Sequence, residues 1–315
     1  MSAGADGPAG SDGDRDGGGE DGFIAALRAI ATTPGARGLA DDAAELALDG
    51  ATLVLTHDMM VEGIHWLPGQ DLADMAWKLV AVNLSDLAAK GARPLGLLLG
   101  YTLGDADADA RFAAGLAEAV CAFGVPLLGG DTVSAPAGSA RSIGLTAIGA
   151  ATRTPSPARA DAAPGHTLWV TGPLGAALAG FEAMQAGDNG TASLPYRRPQ
   201  PLLAEGEALA PHVGAMMDVS DGLLLDAWRM AEASGTTIAI DCAMVPIHSA
   251  LTGREYEAMT WGDDYQLLFT LPADTPCPIA AHRIGMVLAR GTHPLLLDGV
   301  PPPAHRKLGY RHAAS

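Results

Sequence analysis

Lysine is the scarcest charged side chain in this sequence: 315 residues contain three, Lys78, Lys90 and Lys307. None follows a glycine, so the G-x-x-x-x-G-K-[ST] phosphate loop is excluded. Lys and Arg together number 19 against 36 Asp and Glu, a formal net charge of −17, and the pI is about 4.7. So acidic a chain has no basic surface with which to release counterions, which excludes DNA or RNA as its main partner. Cysteine is nearly absent too. Cys121, Cys242 and Cys277 are far apart, form neither a C-x-x-C zinc pattern nor a disulfide framework, and fit a reducing cytoplasm. The longest apolar run, 95–103, holds two glycines and is too short to cross a bilayer, so no membrane span is expected.

Apolar residues are plentiful, at 48% with a mean hydropathy of +0.18, and the length suggests about two domains. Residues 1–20 are acidic and glycine-rich, the reverse of a secretory signal, and read as a disordered tail. A first α/β domain is expected over 21–155 and a second over 156–315, divided within the Pro/Arg/Ala-rich stretch 152–165. In the first half, strands are expected at 53–55, 97–102, 125–128 and 143–150, with helices at 71–90 and 110–123. The second half reads as strands at 167–171, 215–217, 237–240, 266–270 and 283–287. Its helices are expected at 174–184 and 221–233, the latter stopped by Gly235.

The placement of aspartates carries the chemistry. The helix from Asp71 has an apolar stripe at Leu72, Met75, Leu79 and Val82, and Asp86 falls on that same stripe. A carboxylate there must be paired, protonated or bound to a cation. Asp41 and Asp42 form a double acid in a turn, while Asp58, Asp131 and Asp218 each close an expected strand, where α/β folds gather ligand groups. Oxygen donors without Cys or His spacing favour Mg²⁺ or another hard cation. Ser220-Asp221-Gly222 opens a helix whose N-terminus suits phosphate or metal approach, and Gly129-Gly130 before Asp131 allows the same. Read alone, Arg159 is a solvated surface arginine. Many carboxylates, few lysines and no P-loop together suggest phosphate chemistry run by metal ions.

Four segments bring a known family into view: 82–89 (VNLSDLAA), 128–132 (LGGDT), 218–223 (DVSDGL) and 262–265 (GDDY), with His65-Trp66 after Gly63. In this order and spacing the chain resembles the thiamine-monophosphate kinases, in the superfamily of aminoimidazole ribonucleotide synthetase and selenophosphate synthetase. The resemblance covers about 38–269. It implies mixed α/β sheets in two domains, an N-terminal dimerisation-type domain and a C-terminal α/β domain, and a homodimer. The implied reaction is transfer of the ATP γ-phosphoryl group to thiamine monophosphate. By the same resemblance Asp42, Thr56, Asp58, Asp86, Asp131, Asp218 and Asp221 match Mg²⁺-holding positions. Gly130, Asp131, Arg159 and Ser220 match nucleotide positions, and His65 and Asp263 match substrate positions.

Departures from the family pattern are Ala40 for Gly, His57 for Thr, Asp263 for Glu, and Lys307 where an aromatic stacks on substrate. Tyr310 is the nearby ring that could take that place. Another ATP-using superfamily enzyme, such as aminoimidazole ribonucleotide synthetase, is the alternative activity. A non-catalytic nucleotide or divalent-ion binder is the alternative class.

Overall fold

A computed structural model describes residues 20–136 and 138–311. The expected acidic tail therefore lies almost wholly outside the described residues. The chain opens with helix α1 (Glu20–Arg28) and a short 3₁₀ turn, Pro34–Leu39. Strands β1 (Ala44–Leu48), β2 (Ala51–Val61), β3 (Ala92–Thr102), β4 (Leu127–Val133) and β5 (Ser142–Ala151) then form one sheet. Their order is β1-β2-β5-β3-β4, antiparallel except where β3 meets β4. Helices α2 (Leu72–Ala89) and α3 (Ala106–Phe123) belong to this half, and α2 packs on β2, β5 and β3.

Residues 152–166 lead to the second sheet. Its strands are β6 (Thr167–Val170), β7 (Met216–Asp218), β8 (Thr237–Ile240), β9 (Leu267–Leu271), β10 (His282–Leu288) and β11 (Leu295–Leu297), in the order β11-β8-β10-β6-β9-β7. Helices α4 (Ala176–Gln185), α5 (Leu194–Arg197), α6 (Leu203–Leu209), α7 (Leu223–Ser234) and α8 (Glu255–Trp261) accompany it. No helix is long and apolar enough to cross a membrane among the described residues.

Helix α2 is the joint of the molecule. Sixteen of its residues are buried, so it is covered on nearly every side. Leu79, Leu84 and Leu87 enter the core of the first sheet, while Ala88 and Ala89 join Met216, Leu267 and Phe269 of the second. The Asp71 carboxylate caps its start by accepting the Ala73 N–H at 3.0 Å and ion-pairs with Arg111. Removing that cap, Asp71→Ala, is expected to lower stability by about 1 kcal/mol, read as a shift in denaturation midpoint with unchanged slope. Gly91 ends the helix at φ +56, and a Cβ there would lie 2.3 Å from that of Ala210.

Several expectations need correction. The strand expected at 53–55 runs to Val61, because a two-residue Asp49-Gly50 turn, both at positive φ, pairs it with an unforeseen β1. Thr56 and Asp58 therefore lie inside a strand, sharing one face by alternation. Asp131 likewise lies within β4 rather than at its end. Helix α7 begins at Leu223, with Gly222 at its N-cap making no side-chain cap. Gly235 stops it in the left-handed conformation, as expected.

Candidate active site

Three elements meet around Asp86. From α2, Asp86 itself points toward β2 and is 8% exposed. From β2, the Thr56 hydroxyl hydrogen-bonds its carboxylate and lies 3.2 Å from the Asp42 carbonyl oxygen. From β7, Asp218 reaches the same point, accepting the Ser85 hydroxyl at 2.6 Å. One carboxylate oxygen from each of Asp42, Asp86 and Asp218 lies within 4.8 Å of the others. Asn83 fixes the α2–β2 contact, its Oδ1 accepting the Asp58 N–H at 3.1 Å and its Nδ2 donating to the Leu79 carbonyl at 2.9 Å.

Crowded acids away from water resist ionisation. Burial pushes the Asp58 carboxyl up to about 6, with Asp221 adding to the shift. Burial also raises Asp218 to about 6, against the Ser85 hydrogen bond that favours its charge. Asp86 is held well above the usual carboxylate range by burial first, then by Asp58 and Asp218. Such a set favours a cation in solution. The donor chemistry fits Mg²⁺: hard oxygen ligands only, convergent, and more acids than neighbouring cations.

Those acids line a cleft of about 550 Å³. Asp42, Asp58, Asp86, Asp218, Ser220 and Asp221 border it. The same cleft is walled by His65, Phe181, Tyr196, Trp261, Asp263 and Tyr310. Phe181 packs against Tyr196 and Trp261, with ring centroids 5.2 and 5.1 Å apart. Asp263 is clamped by the Lys78 ammonium at 2.7 Å and the Tyr265 hydroxyl at 2.8 Å. His65 accepts the Val61 N–H through Nδ1 at 3.0 Å.

Two loops of the cleft lining meet closely. Gly222 and Gly262 both have positive φ, and a Cβ on Gly262 would stand 2.4 Å from the Ser220 carbonyl oxygen. Only glycine permits that approach. Asp263 and Tyr265 also sit at positive φ, 59° and 50°, a strained turn held by the Asp263 N–H donating to the Ser220 carbonyl at 2.8 Å. Buried Asp226, pushed up to about 7 by burial and then by Asp221, accepts the Asp221 N–H at 3.1 Å. The chain end crosses here, the Tyr310 N–H donating to the Asp221 carbonyl at 2.9 Å.

Most of the expected positions converge. Asp42, Thr56, Asp58, Asp86, Asp218, Asp221, Ser220, His65 and Asp263 all line the cleft or touch a residue that does. Arg159 is no surface arginine: its side chain is 14% exposed and ion-pairs with Asp42, while its Nε is buried without a hydrogen-bond partner. Burial lowers its pKa, with Asp41 opposing. Gly130 and Asp131 stand apart, on β4, all of whose residues are exposed, and they do not line the cleft. His57 is also elsewhere, with Nδ1 2.9 Å from the Thr146 hydroxyl.

Lys78 and Lys90 are the site-side residues that sequence reasoning missed. The signal was present: a helix apolar on every side has no solvent face on which to place a lysine. Tyr310 reaches the cleft, whereas Lys307 is exposed, with its carbonyl 3.2 Å from the Tyr256 hydroxyl.

Comparison with known proteins identifies the family. Residues 40–151 match the family model of the AIR synthase related protein N-terminal domain, and 163–288 match that of the C-terminal domain. The thiamine-monophosphate kinase of Escherichia coli K12 is 36% identical over 252 residues, 75% of this chain and 76% of that one. The enzyme of the same name from Caulobacter vibrioides is 37% identical over 254 residues, 75% and 71% of the two chains. Among solved structures, thiamine monophosphate kinase from Aquifex aeolicus superposes with a TM-score of 0.78 at 26% identity, covering 89% of this chain and 97% of its own. A structure described as AaThiL complexed with AMPPCP and TMP gives 0.81 at 26% identity, covering 90% and 95%. On the relatives' identity and coverage, with both domain models matched in order, this chain belongs to the thiamine-monophosphate kinase family.

Proposed function

We propose that this chain transfers the γ-phosphoryl group of ATP to thiamine monophosphate, giving thiamine diphosphate and ADP. The observation that carries the proposal is a single cleft whose lining combines convergent carboxylates with aromatic rings and an Asp263–Lys78 pair. Such a lining suits a triphosphate beside a heterocycle. Asp42, Asp86 and Asp218 are the residues to hold Mg²⁺, with Thr56, Asp58 and Asp221 alongside. Bound Mg²⁺ would neutralise phosphate charge that the acids alone would repel.

The acceptor phosphate oxygen is already ionised, so no side chain need act as general base. What the chain contributes is alignment and charge. Arg159, ion-paired with Asp41 and Asp42, and Ser220, in the cleft lining, serve the nucleotide phosphates in this reading. His65 and Asp263 face the thiamine, Asp263 offsetting the thiazolium charge or accepting from the aminopyrimidine. Tyr310 supplies the ring that Lys307 does not. Accordingly Tyr310→Ala is expected to raise KM for thiamine monophosphate about tenfold with kcat little changed, checked by steady-state kinetics with each substrate varied. A fall in kcat at unchanged KM would remove Tyr310 from substrate binding.

Gly130 and Asp131 serve this site only in an assembly. Asp131 pairs in register with Gly100 on the first sheet, where Met59, Leu98 and Val133 are exposed apolar neighbours. A homodimer joining such sheets would cover that apolar surface and carry Asp131 toward the partner's cleft. In the same reading the domains divide near residue 155, and a cytoplasmic location accords with the unpaired cysteines. The reaction is tested by following product chromatographically: thiamine diphosphate should form with Mg²⁺ and vanish with EDTA. ATP binding without turnover on thiamine monophosphate would favour the binding-only alternative.

A further inference from the structure

Lys90 is buried completely, and buried lysines are rare unless they are paired. It is the C-cap of α2 and carries its ammonium inward, 2.5 Å from Asp41 Oδ1, 3.4 Å from Asp42 Oδ2 and 3.5 Å from the Met216 carbonyl. Asp42, Asp86 and Asp218 border the cleft, but Lys90 does not. The lysine thus approaches the acids from the protein interior while their other side is open. Asp41, its closest partner, also ion-pairs with Arg37 at 2.5 Å, so the lysine is not there solely to satisfy Asp41.

We propose that Lys90 is a built-in monovalent cation that backs the acid cluster, stabilises it before divalent ions arrive, and limits how tightly those ions bind. The proposal rests on the reading of Asp42, Asp86 and Asp218 as divalent-ion ligands. Its physics is charge accounting. A fixed positive charge in contact with Asp42 repels an incoming cation and shares that carboxylate's charge. Removing it leaves the cluster more negative, with a stronger pull on a divalent ion and less stability without one. Loosening it from Asp41 turns its charge onto Asp42 and does the opposite.

The test uses the full-length protein and Mn²⁺ as probe, with binding read by electron paramagnetic resonance and thermal midpoints read with and without Mg²⁺. Lys90→Met should bind Mn²⁺ on the order of tenfold more tightly than the parent. Its midpoint in EDTA should fall, and Mg²⁺ should recover more of it. Asp41→Asn, which frees the ammonium, should bind Mn²⁺ more weakly and keeps the test open if Lys90→Met does not fold. Unchanged or weaker Mn²⁺ binding by folded Lys90→Met, or unchanged binding by Asp41→Asn, would overturn the role of Lys90 alone. A parent protein that binds no Mn²⁺ would overturn both this role and the reading beneath it.

Discussion

Asp86→Asn should lose turnover by about 10³-fold or more, some 4 kcal/mol of transition-state stabilisation, while the protein stays folded. Asn keeps the shape of Asp and can still meet the Thr56 hydroxyl, so the contact with β2 survives. What it removes is the charge at the point where α2, β2 and β7 converge. With Asp42 and Asp218 left, a divalent ion would have two of three carboxylates. The substitution should also raise the thermal midpoint in EDTA, because Asp58 and Asp218 no longer face a third buried acid. Lost activity with gained metal-free stability separates a ligand from a structural carboxylate, whose removal would cost both. Near-normal turnover would remove Asp86 from the metal site.

In EDTA, stability should fall as pH rises from about 5 to 7.5, the reverse of an ordinary acid-sensitive fold. The groups responsible are Asp58 and Asp218, both pushed up to about 6, Asp86 higher than the usual range, and Asp226 and Asp264, each pushed up to about 7. In the unfolded chain each titrates near 3.8. Between those values the folded state holds protons that the unfolded state has released, so unfolding free energy declines with pH. The contribution is complete below the unfolded pKa and lost as pH passes the folded one. One carboxyl moved from 3.8 to about 6 is worth about 3 kcal/mol, and the acids interact, so their shares do not simply add. Asp41, held low by Lys90 and Arg37 against the effect of burial, acts in the opposite sense but at lower pH. Mg²⁺ should flatten the curve by replacing protons as the counter-charge. Thermal melts across this range in EDTA and in Mg²⁺ decide it: a flat or rising EDTA curve would contradict the raised carboxyls.

Much of this arrangement was legible one segment at a time. Asp86 on an apolar stripe was the clearest sign, because helical periodicity alone places it inside. The stop at Gly235 was readable from local backbone preference. Asp49-Gly50 between apolar residues was an available hairpin signal that would have extended the strand through Thr56 and Asp58. Arg159 was not readable, since its partner Asp42 is 117 residues away and only the fold brings them together. The separation of Asp131 from the other acids was equally hidden. Gly-Gly-Asp after an apolar run reads as a strand end, whereas register with β3 carries the strand on to Val133. Lys78 and Lys90 sit on a helix with no solvent face, but their partners Asp263 and Asp41, 185 and 49 residues away in sequence, are set by the fold alone.

The central claim is direct transfer of one phosphoryl group between ATP and thiamine monophosphate at a carboxylate-held metal site. Its most direct test is ³¹P NMR of purified protein with ATP, thiamine monophosphate and Mg²⁺. The account predicts thiamine diphosphate and ADP appearing one for one, with neither AMP nor excess inorganic phosphate, and no reaction in EDTA. AMP with pyrophosphate, inorganic phosphate without thiamine diphosphate, or turnover that persists in EDTA would contradict it.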